Sequence, residues 1–216
     1  MKINGEHVFH GPRQEVWDLI RDPEALAKAL PGTEALNKLS ESEYEGTMNV
    51  RIGPITGVFS GKVVISDEAP PESCTLTAEG KGAQGFAKGV GRVQFAEQDD
   101  GTTLIQYDGD MQIGGKLASV GQRSLDSVSK SMIRQGLLAL DQALAARIVA
   151  KAEGKKEVEY TKATEAEFAA AVVKDMAGEM LSSPRTVGAG LAIVAALALV
   201  IGFLLGRMSR RQVTRS

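Results

Sequence analysis

One stretch constrains this chain more than any other. Val187 to Gly206 (VGAGLAIVAALALVIGFLLG) is twenty residues without a charge or a strong polar group. As a helix rising about 1.5 Å per residue it spans ~30 Å, the thickness of a bilayer hydrocarbon core. A core helix of a soluble domain is usually shorter and carries a polar stripe, and this run has none. The sequence therefore predicts a transmembrane anchor over 187–206, with Val187, Leu191, Leu197 and Leu204 in lipid and Arg207 at its edge. Arg185 stands before the run, and Arg210, Arg211 and Arg215 continue the basic end; such side chains sit at or snorkel to the interface. Gly202 and Gly206 form a G-x-x-x-G pair, a spacing that lets two helices approach closely and leaves a weak homodimer through the tail open, although such pairs are common by chance in membrane helices.

What precedes Arg185 reads as a soluble body tethered to a membrane, long enough for one sizeable core. It offers no dominating basic field. The chain holds 25 Lys and Arg against 27 Asp and Glu, for a net charge of −2, which argues against nucleic acid as a partner. Cys74 is the single cysteine, so neither an internal disulfide nor a four-cysteine zinc site is available. Lys2, Glu6, Arg13, Glu15 and Asp18 interrupt the first twenty residues, leaving no apolar stretch for a signal peptide. The expectation is a body on the cytoplasmic face of the cytoplasmic membrane. One feature pulls the other way: basic residues tend to stay inside, yet the arginine-rich end follows the anchor. Either a short arginine tail is translocated or the run does not span fully.

Within the body, residues 2–10 alternate as a strand, with Ile3, His7 and Phe9 on one face and Val8 on the other. Pro12 suits a first helical turn, after which Val16, Leu19 and Ile20 share a stripe. Asp22-Pro23 is an N-cap followed by a good first helical residue, predicting a short helix over 23–30 that buries Leu26 and Leu30 and stops at Pro31-Gly32. A β region follows. Residues 43–52 place Met48, Val50 and Ile52 on one face; residues 55–66 place Ile55, Phe59, Val63 and Ile65 together; residues 73–79 alternate through Cys74, Leu76 and Ala78. Asp99-Asp100-Gly101 signals a hairpin turn. Residues 102–113 alternate between Ile105, Tyr107, Met111, Ile113 and Gln106, Asp108, Asp110, Gln112, one face dry and one wet.

From Lys116 to about Ala150 the pattern predicts one long helix with two apolar stripes. Leu117, Val120, Val128 and Met132 form one; Ile133, Leu137, Leu140 and Leu144 form the other. A helix lying on a sheet needs one stripe, so the second calls for another neighbour, such as the two short N-terminal helices. Residues 151–163 are charged and read as a linker. Thr164 to Glu167 is a capping box opening an amphipathic helix over 164–184, with Phe168, Val172, Met176 and Met180 on one face. The expected fold class is α+β: about five or six antiparallel strands curled around a terminal helix, the helix-grip arrangement over 1–150, with an apolar cavity between sheet and helix.

Several tempting motifs carry little chemistry. Gly80-Lys81-Gly82-Ala83-Gln84-Gly85 matches G-x-G-x-x-G, but the dinucleotide fingerprint requires a helix next, and a strand follows instead. The stretch 80–91 reads as a glycine-rich loop between strands, with Phe86 at its tip as a lid over a cavity mouth. His7 and His10 point to opposite faces of a strand and cannot share a metal. Asp108 and Asp110 share the wet face, where a solvated stripe is the plainer reading than an acid/base pair. Cys74 and Ser124 lack a base partner. No catalytic constellation or metal site emerges, and no tightly bound cofactor is expected.

The combination Asp22-Pro23-Glu24 to Leu30-Pro31-Gly32, Gly53-Pro54-Ile55 with Phe59-Ser60-Gly61-Lys62, Gly80 to Gly91, and Gly114-Gly115-Lys116-Leu117-Ala118 with Gly121-Gln122-Arg123 resembles the carbon monoxide dehydrogenase G-subunit family, a branch of the START-like polyketide cyclase and lipid-transport superfamily. The resemblance covers roughly residues 1–147. It implies a START-like helix-grip fold with an apolar cavity, and association with a molybdenum-containing carbon monoxide dehydrogenase. It supplies no catalytic residues. The expectation is a non-enzymatic, membrane-anchored accessory protein. It would dock that dehydrogenase to the cytoplasmic membrane and bind a quinone or similar apolar lipid in a cavity lined by Met48, Val50, Phe59, Phe86, Tyr107, Met111, Leu117, Val128 and Met132. Two alternatives stay open: a pure adaptor whose cavity is filled by its own side chains, and a cyclase- or hydrolase-like START enzyme using Tyr107, Ser124 or Gln135.

Overall fold

The computed structural model describes residues 1–29, 32–52, 55–155, 158, 160, 170 and 174, with Arg51, Ile52 and Ile55 described by their backbone alone. Two compact units divide the chain, Met1–Ala170 and Ala171–Ser216, and all the elements named below lie in the first.

The chain runs β1 (Lys2–Phe9), α1 (Arg13–Leu19), α2 (Pro23–Ala29), β2 (Thr33–Lys38), β3 (Glu43–Ile52), β4 (Ile55–Ala69), β5 (Ser73–Gly82), β6 (Gly85–Glu97), β7 (Thr103–Gly114), a 3₁₀ turn (Gly115–Val120) and α3 (Gln122–Ala152). The strands form one seven-stranded sheet in the order β1-β7-β6-β5-β4-β3-β2. Every neighbouring pair is antiparallel. The two short helices carry the chain from β1 at one edge to β2 at the other. This is an α+β fold, an antiparallel sheet with a C-terminal helix.

Local chemistry explains the helix starts. Asp22 caps α2, its Oδ1 accepting the backbone N–H groups of Glu24 at 2.9 Å and Ala25 at 3.3 Å. Pro12 precedes α1 with φ −63° and ψ 145° and lets the turn begin without a donor to satisfy. Val16, Trp17 and Leu19 of α1 are buried. They join Phe9, Tyr44, Phe95, Ile105, Leu140 and Leu144 in the main core. Trp17 meets Phe95 edge-on with ring centroids 5.4 Å apart, a favoured aromatic geometry. A second, smaller cluster gathers Phe59, Leu117 and Leu125, with Val50, Ile113 and Val120 packed against it.

Leu140 and Leu144 face the main core, and the closest backbone neighbours of α3 include α1, α2 and β1. The second apolar stripe thus finds the two short helices, as its spacing requires.

Four features depart from the sequence expectation. The long helix does not begin at Lys116: the 3₁₀ turn comes first, and Gly121 at φ 89° breaks it from α3. Only glycine adopts that φ at little cost. Residues 33–38 form an additional edge strand paired to β3. The stretch 80–91 is not a loop: β5 and β6 run through it, joined by Ala83-Gln84 alone. The segment after α3 is no free spacer, because Tyr160 is buried in the main core with Val158 beside it.

Leu30, the anchor residues Val187, Leu191, Leu197, Leu204 and Arg207, and the expected helix 164–184 apart from Ala170 and Lys174 lie outside the described residues. Among the described residues no helix is long and apolar enough to cross a membrane.

Candidate functional site

Strand register sorts the sheet into two faces. Met48 pairs with Phe59 and Val50 with Gly57; Tyr107 pairs with Val93 and Met111 with Gly89. All lie on the face that carries the buried Phe9, Ile65, Phe95 and Ile105, the face toward α3. Phe59 and Leu117 are buried together in the smaller cluster, with Val50 against them. Met48, Met111, Val128 and Met132 are half-buried. Val128 and Met132 are four residues apart on α3, one turn beyond Leu125, and so share its stripe.

Phe86 belongs elsewhere. Expected at a loop tip over the cavity, it is instead the second residue of β6, paired with Lys81 and Gly114. Side chains alternate along a strand, so Phe86 falls on the outer face with Lys88 and Val90. It is 49% exposed, and its ring lies over Gly114, where an added Cβ would sit 2.3 Å from Cε1. Phe86 helps to line a shallow outer groove of about 440 Å³ with Glu45, Lys62, Glu79, Lys81 and Lys88.

The inner face between the two apolar clusters is floored by glycine. Gly61 pairs with Gly80 across β4 and β5, and Gly91 pairs with Gly109 across β6 and β7. A Cβ built at Gly80 would meet only the Ser60 carbonyl oxygen at 3.8 Å, and one at Gly61 only backbone of β5. Among the described residues no atom of α3 comes within 4 Å of either position. A sheet in direct contact with its helix fills such positions with side chains, because close packing leaves few voids. Bare glycines put no side chain on this stretch of the inner face, and Phe59, Leu117 and Leu125 are buried together at one end of it.

A few polar groups interrupt this apolar lining. Tyr107 lies across Gly5 of β1, its hydroxyl 2.3 Å from where a Cβ at Gly5 would stand. Burial pushes its phenol above the usual 10.0, with Arg134 acting the other way. His7 occupies the inward row of β1, paired with Ile105, with its Nε2 enclosed and without a hydrogen-bond partner. Its ring meets Phe9 edge-on at 4.9 Å, and burial is the chief cause that holds its pKa below 6.5. The sequence pattern places His7 on this face, yet its type suggests a structural or surface role. Of the polar candidates read from sequence, Gln135 is half-buried, whereas Ser124 is exposed and does not face the interior; Ser131, not singled out, is buried. His10 is tied to α3: its backbone N–H and Nδ1 both bond Asp141, at 2.8 and 2.7 Å, and the same Asp141 acts to raise the His7 pKa against the larger effect of burial. Cys74 is buried, its thiol pushed up to about 11 chiefly by that burial. Few cysteines are less suited to nucleophilic work.

Similar folds occur among solved structures. A conserved protein from Geobacillus kaustophilus is 28% identical, covering 67% of this chain and 95% of that one at a TM-score of 0.64. A START superfamily protein from Mycobacterium smegmatis shares the fold at 14% identity and a TM-score of 0.51, over 67% of this chain and 97% of its own. The Zhui aromatase/cyclase from a Streptomyces species does so at 12% and 0.51, over 68% and 95%. At those two identities the likeness concerns the fold alone. No curated protein matches the chain. The model of the family described as the carbon monoxide dehydrogenase G subunit (CoxG) matches residues 5–145. That span takes in β1 through most of α3, the glycine floor and both apolar clusters, and so the chain belongs to the CoxG family, the G subunits of carbon monoxide dehydrogenase.

Proposed function

We propose that this chain is a non-enzymatic accessory subunit that holds a molybdenum-containing carbon monoxide dehydrogenase at the cytoplasmic membrane. In this reading the body lies on the cytoplasmic side, tethered by Val187–Gly206. It carries an apolar ligand, a quinone or similar lipid, between sheet and helix, and so links the soluble enzyme to the respiratory chain. Family membership supports the partner. The observation that carries the ligand is the bare floor at Gly61 and Gly80, with no α3 atom within 4 Å of their would-be side chains. An isoprenoid quinone is confined to the bilayer while its enzyme is soluble; a dry, apolar chamber on a tether would bridge the two, and tethering raises the local concentration of body at membrane.

Fractionation tests the docking half. Cells expressing the full chain should hold carbon monoxide dehydrogenase in the membrane fraction, and deletion of residues 185–216 should move both proteins to the soluble fraction. A truncated chain that still sediments with salt-washed membranes contradicts the anchor. An enzyme that stays soluble beside an anchored full chain contradicts the partner.

A further inference from the structure

The chamber has a polar end, and its position says which part of a ligand goes in first. The two apolar clusters mark opposite ends of the space. Phe59, Leu117 and Leu125 stand at one, near the 3₁₀ turn; Phe9, Phe95, Ile105 and Leu144 close the other. The glycine floor lies between. At the closed end the inner face changes character. Tyr107 sits beside Gly109 in sequence row and lies over Gly5 on the neighbouring strand. His7 is the next inward residue of β1 after Gly5. Directly opposed inward residues of adjacent strands lie about 5 Å apart and diagonal ones about 7 Å, so His7 and Tyr107 address one region.

One of the two lacks a partner. His7 Nε2 is enclosed without a hydrogen bond, and the Tyr107 phenol beside it is held above 10.0 chiefly by burial. Native proteins rarely leave a buried polar atom unpaired, since its lost hydration is not recovered. A buried imidazole nitrogen set against Phe9 and Ile105 is a cost that apolar isosteres would remove. Ligand sites accept that cost because the ligand supplies the missing partner.

The chemistry narrows the ligand. The depressed His7 pKa keeps the imidazole neutral near pH 7, so it offers a dipole and not a charge. A neutral imidazole and a phenol together pair with a carbonyl or hydroxyl oxygen. They discriminate against a bare hydrocarbon, which would leave His7 Nε2 unpaired.

Resting on the chamber reading above, we propose that His7 and Tyr107 form the head-group end of the chamber. They receive the carbonyl or hydroxyl oxygen of an uncharged apolar ligand that enters head first, its tail lying along the glycine floor toward Leu117. Quinones and isoprenoid alcohols both present that oxygen, and the experiment separates them.

The test uses the detergent-solubilised full chain with three probes that each carry a ten-carbon chain: decylbenzene, a decyl-substituted quinone and decanol. Wild type should bind the quinone and the alcohol more tightly than decylbenzene. His7→Leu and Tyr107→Phe should each weaken the oxygen-bearing probes by roughly threefold to tenfold, the worth of one hydrogen bond, and leave decylbenzene unchanged. The two oxygen probes distinguish a carbonyl from a hydroxyl preference. His7→Leu should melt no lower than wild type, because it removes an unpaired buried atom, so lost binding would not be lost folding. If wild type binds all three probes equally and neither substitution matters, the head-group assignment is wrong while the chamber stands. If wild type binds none, the chamber itself is wrong.

Discussion

The hydroxyl of Tyr160 donates to Oδ2 of Asp22 at 3.2 Å, across 138 residues of sequence. Asp22 uses its other oxygen to cap α2, and Oδ2 also receives Arg147 of α3 at 3.4 Å. Lys28 of α2 sits over the Tyr160 ring, 5.7 Å from its centroid. One carboxylate thus joins α2, α3 and the segment that leads toward the tail. Gly154, at φ 70°, turns the chain back to make this possible.

Removing the hydroxyl alone, in Tyr160→Phe, should cost about 1 kcal/mol, the net worth of one hydrogen bond. Tyr160→Ala should cost about 3–5 kcal/mol, as a buried aromatic ring does. It should also expose residues 153–160 to proteolysis while α3 stays protected. Thermal melts and limited digestion check both. Equal, negligible effects would mean that the segment does not dock.

All three tyrosines of the chain are held above the ordinary 10.0, each chiefly by burial. The folded state therefore favours the neutral phenol. That contribution is fully present below the unfolded pKa near 10 and is lost as pH rises through the higher folded values. Phenolate absorbance should stay low past pH 10 and then rise together with loss of ellipticity. A tyrosine that ionises at its ordinary value with the fold intact would contradict the burial of Tyr44, Tyr107 or Tyr160.

Much of this architecture is readable in the chain. Proline, glycine and Asp22 mark the short helices; alternation marks β3, β4 and β7, and more loosely β1. What failed to show has a common cause. Residues 80–91 hide two strands because glycine has no side chain with which to alternate, so a strand made of it reads as a loop. The same blankness misplaced Phe86, since a one-residue shift of register moves a side chain to the other face. Gly121 breaks a helix that its neighbours would continue. The Tyr160–Asp22 bond leaves no local trace, because nothing in a charged segment announces a partner 138 residues away.

The glycines of the G-x-G-x-x-G stretch should separate by role. Gly85 has φ 137°, and its Cβ would stand 2.1 Å from the Gly114 carbonyl oxygen, so Gly85→Ala should cost about 1–3 kcal/mol through strain and forced displacement of backbone. At Gly80 an added Cβ would make only an ordinary contact, 3.8 Å from the Ser60 carbonyl oxygen, so Gly80→Ala should be within about 1 kcal/mol of wild type while narrowing the chamber. Denaturant melts of the pair check the order; a larger loss at Gly80 would mean that the floor is packed.

Val128, half-buried, shares the α3 stripe of Leu125 and Met132. Val128→Trp should fill the chamber, lowering binding of a quinone analogue at least tenfold. It should avoid most of the usual overpacking cost of about 1–3 kcal/mol. Thermal denaturation and binding on the same variant read both quantities, and a strong destabilisation would mark the region as packed core.

The central claim is that the body carries an apolar ligand. The most direct measurement is organic extraction of the purified full chain, followed by mass spectrometry of the extract, with Val128→Trp prepared in parallel. The account predicts a quinone or similar lipid near one molecule per chain in wild type and little in the variant. Equal, sub-stoichiometric lipid in both would contradict it, and would leave an adaptor whose interior is closed by its own side chains.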